Sequence, residues 1–126
     1  MIHLIFNFRL ISKDNFKCVN RYSRQFLSDA YKQYEQRIAW EAKKQYTDKP
    51  FTGDLVVCIV IYYTNKKHND LLNAPKSLCD AIQGIAYMND RQIKQAKIDV
   101  IENSPKDWFE ISIYKLYPAN AYKAKI

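Results

Sequence analysis

The chain has 126 residues, 20 Lys and Arg against 13 Asp and Glu, and a net charge of +7 with a pI near 9.3. That length, with 48% hydrophobic residues, argues for one modest globular core and against a disordered chain. No run approaches eighteen apolar residues, which speaks against a membrane span, and the basic balance makes a polyanion the first partner to weigh.

The opening stretch alternates, with Ile2, Leu4, Phe6, Phe8 and Leu10 apolar and His3, Asn7 and Arg9 between them. That is the pattern of a half-buried strand rather than a signal peptide, since a basic leader and an A-x-A cleavage site are lacking. Ser12 to Arg24 is polar and carries Lys13, Lys17, Arg21 and Arg24 with Phe16 and Tyr22 interleaved, which suits phosphate contact. A solvated basic loop has the same composition. Ser28 is placed to cap a helix running to about Tyr46, with Tyr31, Tyr34, Ile38 and Ala42 on one stripe. Those tyrosines suit core and dimer contacts better than base stacking.

Pro50 and Gly53 break the chain before Leu55 to Tyr63, an unbroken apolar run that predicts a central strand covered on both faces. The polar TNKKHND loop, with Lys66 and Lys67 as further phosphate-contact candidates, leads to a second helix predicted from Asn73 to Ile85, with Pro75 in its first turn. Two alternating strands follow, Ile93 to Glu102 and Trp108 to Leu116, joined by a hairpin-like NSPKD connection. The order β-α-β-α-β-β predicts an α/β (α+β) two-layer sandwich with a mixed sheet of about four strands. Residues 1–118 form its one domain, and 119–126 form a loose tail.

Cys18, Cys58 and Cys79 are odd in number and form no CxxC pair, as expected of reduced thiols in a cytoplasmic protein. Cys79 is expected to pack as a small apolar residue. His3 and His68 lack a second ligand at helical spacing and fit surface positions better than metal ligation.

The chemistry concentrates between Asp70 and Gln92. On the second helix Asn73, Lys76 and Asp80 are spaced i, i+3, i+7 and share one face, with Leu78, Ile82 and Ile85 roughly opposite. Asp70 precedes the helix and Asp90 follows it. Carboxylates clustered near a lysine are what magnesium-dependent phosphodiester hydrolysis needs: hard oxygen ligands for the ion and a cation for the charge of the transition state. Spacing alone equally allows a turn aspartate at 70, a surface pair between Lys76 and Asp80, and a loop carboxylate at 90.

The same stretch resembles the signature of the RusA-like Holliday junction resolvases, D-x-D-N-x-x-K-x-x-x-D-A-L followed by G, an aromatic, D-D and Q-I/V. Asp70, Asn73, Lys76, Asp80, Ala81 and Ile82 match in register, and Gly84, Tyr87, Asp90, Gln92 and Ile93 match after it. The upstream ISKDNFKCVNRYSRQFLSDAYKQY resembles the family's basic loop and first helix, so the resemblance covers essentially the whole chain. It implies a cytoplasmic, nucleoid-associated homodimer of bacterial or phage origin that nicks four-way junctions with Mg²⁺ or Mn²⁺. Carried over, Asp70 and Asp90 are metal ligands, Lys76 is the catalytic lysine, Asp80 is a further acidic member, and Asn73 supports the loop. Two positions depart: Leu72 stands where the family has its second aspartate, and Asn89 replaces the first of the D-D pair. Either Asp80 compensates, or the chain binds junctions without cutting them. A third possibility from composition alone is a general basic, RNA-binding module, though no RNP-like pattern marks the strands.

Overall fold

The computed structural model describes residues 1–12, 17–19, 25–27, 29–68 and 73–116, the stretches 17–19 and 25–27 by backbone alone. The predicted cap Ser28, most of the basic loop and the predicted tail 119–126 lie outside the described residues.

Six strands and two helices follow in chain order: β1 (Ile2–Phe6), β2 (Lys17–Val19), β3 (Gln25–Leu27), α1 (Asp29–Gln45), β4 (Leu55–Tyr62), α2 (Ala74–Ala81), β5 (Ile93–Ile101) and β6 (Trp108–Lys115). The main sheet has the order β1-β6-β4-β5, and β2, in the basic segment, pairs separately with β3, just beyond it, as a small antiparallel ladder. The mixed four-stranded sheet with two helices is the α+β architecture that the hydrophobic pattern predicts. The small ladder is an addition to it.

β4 pairs parallel with β5 and antiparallel with β6. A parallel pair needs a crossover, and α2 lies within it. The predicted hairpin between β5 and β6 is therefore not formed, because β4 lies between them. The connection instead wraps the end of β4. The Tyr63 amide donates to the Ile101 carbonyl at 2.9 Å, the Ser104 amide to the Tyr63 carbonyl at 2.9 Å, and the Thr64 amide to Asp107 Oδ1 at 2.8 Å. Asn103 sits there at φ 58°, a left-handed conformation that asparagine tolerates.

β1 stops at Phe6, short of the predicted Leu10. Beyond it, backbone groups bond to side chains rather than to a strand: Tyr34 Oη donates to the Arg9 carbonyl at 2.6 Å and accepts the Ile11 amide at 2.9 Å, and Tyr63 Oη donates to the Leu10 carbonyl at 3.0 Å. Edge strand β1 is partly blunted by Gln45, whose amide pairs with both backbone groups of Ile5 at 2.7 and 2.6 Å.

Both helices bury their apolar stripes on one face of the sheet. Ile38 and Ala42 of α1 and Leu78 of α2, with Ile82 just beyond it, form one core with Ile2, Leu4, Phe6, Leu55, Val57, Ile59, Ile61, Phe109, Ile111 and Ile113. Residues Val56, Cys58, Val60 and Tyr62 of β4 point the other way and are only half-buried. Among the described residues the central strand is thus covered by helices on one face and only half-buried on the other. α2 is also shorter than predicted. It ends at Ala81 with Ile82 as its C-cap, and the chain then turns through Gly84 at φ +84°. Among the described residues no helix is long and apolar enough to cross a membrane.

Candidate active site and nucleic-acid interface

Pro75 opens α2, where a missing N–H costs little, and the helix is pinned by buried Ser77. Ser77 Oγ donates to the Ile11 carbonyl at 2.8 Å and lies 2.9 Å from the Ala74 carbonyl. Together with the Tyr34 and Tyr63 bonds this fixes the stem of the basic segment against α2. Ser77 carries no chemical signature in the sequence, and its anchoring role is readable only once the fold is known.

Leu78 and Ala81 face the core, while Asn73 and Lys76 are exposed and Asp80 is half-buried. The Lys76 ammonium has no hydrogen bond or ion pair among the described residues, so the alternative of a Lys76–Asp80 pair is not what forms. Asp90 begins a single 3-10 turn, Asp90–Gln92, just before β5. Its amide donates to Gln83 Oε1 at 3.2 Å, and its exposed carboxylate has no partner among the described residues.

Asn89 caps that turn, its side chain accepting the Arg91 amide at 2.8 Å. An aspartate would accept the same bond, so Asn89 retains the structural part of its position. Gln92 completes a capping box: Oε1 accepts the Met88 and Asn89 amides at 2.9 and 3.0 Å, and Nε2 donates to the Phe51 and Gly53 carbonyls at 2.9 and 3.0 Å.

Asp80 and Asp90 act on the same two neighbours. Burial pushes the Cys79 thiol up to about 11, and both carboxylates add to the rise. Burial likewise raises the Tyr87 hydroxyl, again with Asp80 and Asp90 contributing, and that hydroxyl donates to the Cys79 carbonyl at 2.7 Å. Tyr31 of α1 is raised by burial and then by Glu35 and Asp80. Asp80 and Asp90 thus both act on Cys79 and Tyr87 at the C-terminal end of α2, and Asp80 and Glu35 both act on Tyr31. Sequence reasoning did not single out Glu35 or Gln83 and read Tyr31 only as a core or dimer contact; they come to this region from α1 and from the turn. Cys79 is a free, partly buried thiol packed against the core, and Cys58 is free as well. His3 and His68 pair with carboxylates, His3 with Glu110 at 3.2 Å and His68 with Glu102 at 2.6 Å.

Lys66 and Lys67 are exposed in the loop after β4, where the Lys67 carbonyl accepts a bond from Arg9. Asp70 and Leu72 lie outside the described residues, as do Lys13, Arg21, Arg24 and the side chain of Lys17. Among the described residues no group of three His, Cys, Asp or Glu side chains is placed to hold a metal ion. The hard oxygens of Asp80 and Asp90 have the chemistry that Mg²⁺ accepts, and this ion usually takes only one or two carboxylates.

These features define a small basic α+β domain whose second helix presents an amide, a carboxylate and an ammonium unpaired among the described residues, with Ile11, which leads into the basic segment, bonded to that helix. The family described as Endodeoxyribonuclease RusA matches residues 7–114, and the chain belongs to it. That family is one of junction-resolving endonucleases acting on branched DNA. No curated protein matches the chain significantly.

Proposed function

We propose that this chain is a structure-selective endonuclease that cuts four-way DNA junctions by Mg²⁺-dependent phosphodiester hydrolysis, as a homodimer serving DNA recombination and repair. The observation that carries the reading is the Lys76 ammonium, unpaired among the described residues, on the same helix as Asp80, with Asp90 acting on the same Cys79 and Tyr87. Asp70 and Asp90 would hold the ion, with Asp80 as a further acidic member and Asn73 supporting the turn into α2. Bound there, Mg²⁺ would supply a water of lowered pKa and polarise the phosphoryl oxygen. Lys76, exposed and without a partner among the described residues, would meet a non-bridging phosphate oxygen and offset the charge that builds there. Lys13, Lys17, Arg21, Arg24, Lys66 and Lys67 supply phosphate contacts that orient the junction arms without reading sequence. A two-fold protein matches the two equivalent strands to be cut.

The test is a labelled mobile four-way junction incubated with the purified protein, with and without Mg²⁺ or Mn²⁺. Paired nicks that require the metal support the reading. Leu72 favours a second one, junction binding without turnover, because it takes two carboxylate oxygens from the family's pattern. A retarded complex with no nicks would select it. Leu72→Asp separates the two: if the leucine impairs the site, the substitution raises cleavage and lowers the Mg²⁺ needed for half-maximal rate. If Asp80 compensates, Leu72→Asp changes little and Asp80→Asn removes activity.

A further inference from the structure

We infer that the face of the main sheet on which no described helix lies is where a second copy of this chain packs, sheet against sheet. This rests on the homodimer reading above and names its interface.

The register lays out the face as a grid. Across β6, β4 and β5 its rows are Tyr114, Val56 and Gln95; Ser112, Cys58 and Lys97; Glu110, Val60 and Asp99; and Trp108, Tyr62 and Ile101. β1 adds His3 beside Ser112 and Ile5 beside Glu110. Neither helix lies on this side, since both contribute to the core on the other. A sheet face that meets water normally alternates to polar residues, and β4 does not: Val56, Cys58, Val60 and Tyr62 form an apolar centre line. Around it Ile5, Ile101 and Tyr114 are about two-fifths exposed, at 39%, 43% and 43%. Trp108 stacks on Tyr62 at 3.9 Å and 4°, extending the apolar surface at one end.

Charge decides what covers it. On a chain of net +7, this face carries Lys97 against Asp99 and Glu110. It therefore lacks the positive potential that a nucleic-acid backbone requires, although it presents aromatic rings. The face is instead complementary to itself. A two-fold axis crossing the strands between the Cys58 and Val60 rows turns each strand back on its own copy. Lys97 and Asp99, 4.0 Å apart within one copy, then meet Asp99 and Lys97 of the other and close a four-charge network, and Val56 meets Tyr62. Strands β4, β5 and β6, of eight, nine and eight residues, and the five-residue β1, spaced about 4.8 Å apart, give a planar footprint of about 500 Å², which side-chain relief enlarges towards the size of a stable interface, about 800 Å² per partner. Packing there also completes the second covered face that the unbroken run from Leu55 to Tyr63 predicts.

Sedimentation of the full chain, combined with maleimide labelling of Cys58 read by mass spectrometry, tests the interface. The wild type is expected to be a dimer whose Cys58 is shielded. Val60→Arg is expected to be a folded monomer with Cys58 reactive. Because Val60 is half-buried, Lys97→Asp at the exposed edge provides a second route. Setting two pairs of like charges against each other is expected to raise the dimer dissociation constant by about tenfold or more, and the swap Lys97→Asp with Asp99→Lys to restore it to within about threefold. Dimers that persist in both Val60→Arg and Lys97→Asp overturn this interface and leave the homodimer standing. A monomeric wild type at its highest soluble concentration overturns both. Monomers whose Cys58 stays shielded until residues 117–126 are removed give the face to the chain's own end instead. Junction cleavage, assayed separately, distinguishes any of these outcomes from failure of the nuclease reading.

Discussion

Two anchors hold the crossover between β4 and β5, and they are made of different chemistry. Where the chain leaves β4 towards Asp70, the hold is ionic and aromatic. Arg9 reaches both oxygens of Asp107 at 3.3 Å and lies over the Tyr63 ring at 4.7 Å. His68 stacks on that same ring at 4.4 Å while pairing with Glu102. Where the chain enters β5 through Asp90, the hold is made by neutral amides, with Asn89, Gln92 and Gln83 bonding to backbone groups. The two ends of the crossover therefore rest on supports with different sensitivities. Salt and acid reach the first support, and neither has a handle on the second.

The largest expected effect separates chemistry from support within the second anchor. The cap around Asp90 uses its backbone amide and leaves its carboxylate free among the described residues. Asp90→Asn should therefore leave the melting temperature and junction binding unchanged while lowering cleavage by about 100-fold or more, the scale of losing one preorganised charged group. A variant that melts early would show that the carboxylate is structural. One that cuts at full rate would remove it from the site.

Gln92→Ala should give the largest loss of stability. It deletes the side chain that accepts from two amides and donates to two carbonyls. Partly exposed neutral bonds contribute about 1 kcal/mol each, so a destabilisation of roughly 2–4 kcal/mol is expected by urea unfolding. Because no charge is involved, the loss should be the same at low and high salt. A loss that varied with salt would undo the contrast between the two anchors.

How far the sequence exposes these features follows from how local they are. The amide anchor is written within a few residues, as an N-x-x-Q box before an alternating strand. The polar face of α2 was legible from i, i+3, i+7 spacing, and the four-stranded mixed sheet from the order of periodic segments. The ionic anchor joins Arg9, Tyr63, His68, Glu102 and Asp107, which are distant in sequence and have no periodicity to betray them. The hairpin expectation failed for a related reason. Two alternating strands with a short connector suit a hairpin by local pattern, but strand order is fixed by which strand has apolar residues for both neighbours, and β4 takes the place between them. Glu35 and Tyr31 reach the Asp80 region only because α1 packs against α2, and residue spacing cannot reveal that contact.

The smallest expected effect tests the acid sensitivity of the first anchor. Partial burial pushes the Asp107 carboxyl up, but the Thr64 amide and the Arg9 guanidinium outweigh it and hold the group below the ordinary aspartate value. The lowered folded-state value sets the sign. The contribution is fully present above the unfolded aspartate pKa of about 3.9 and is lost as pH falls through the lower folded value. Asp107→Asn keeps an oxygen for the Thr64 amide but gives up the charge that Arg9 faces. At neutral pH it should cost about 1 kcal/mol, since a side chain 26% exposed is partly screened by solvent. As pH drops below about 4 the stability gap between variant and parent should close, because the parent's own carboxyl protonates there. Urea titrations of both proteins from neutral to strongly acidic pH read the gap directly. A gap that stays constant across the acid range would mean that hydrogen-bond geometry, not charge, supports this end of the crossover, and the two anchors would then be alike.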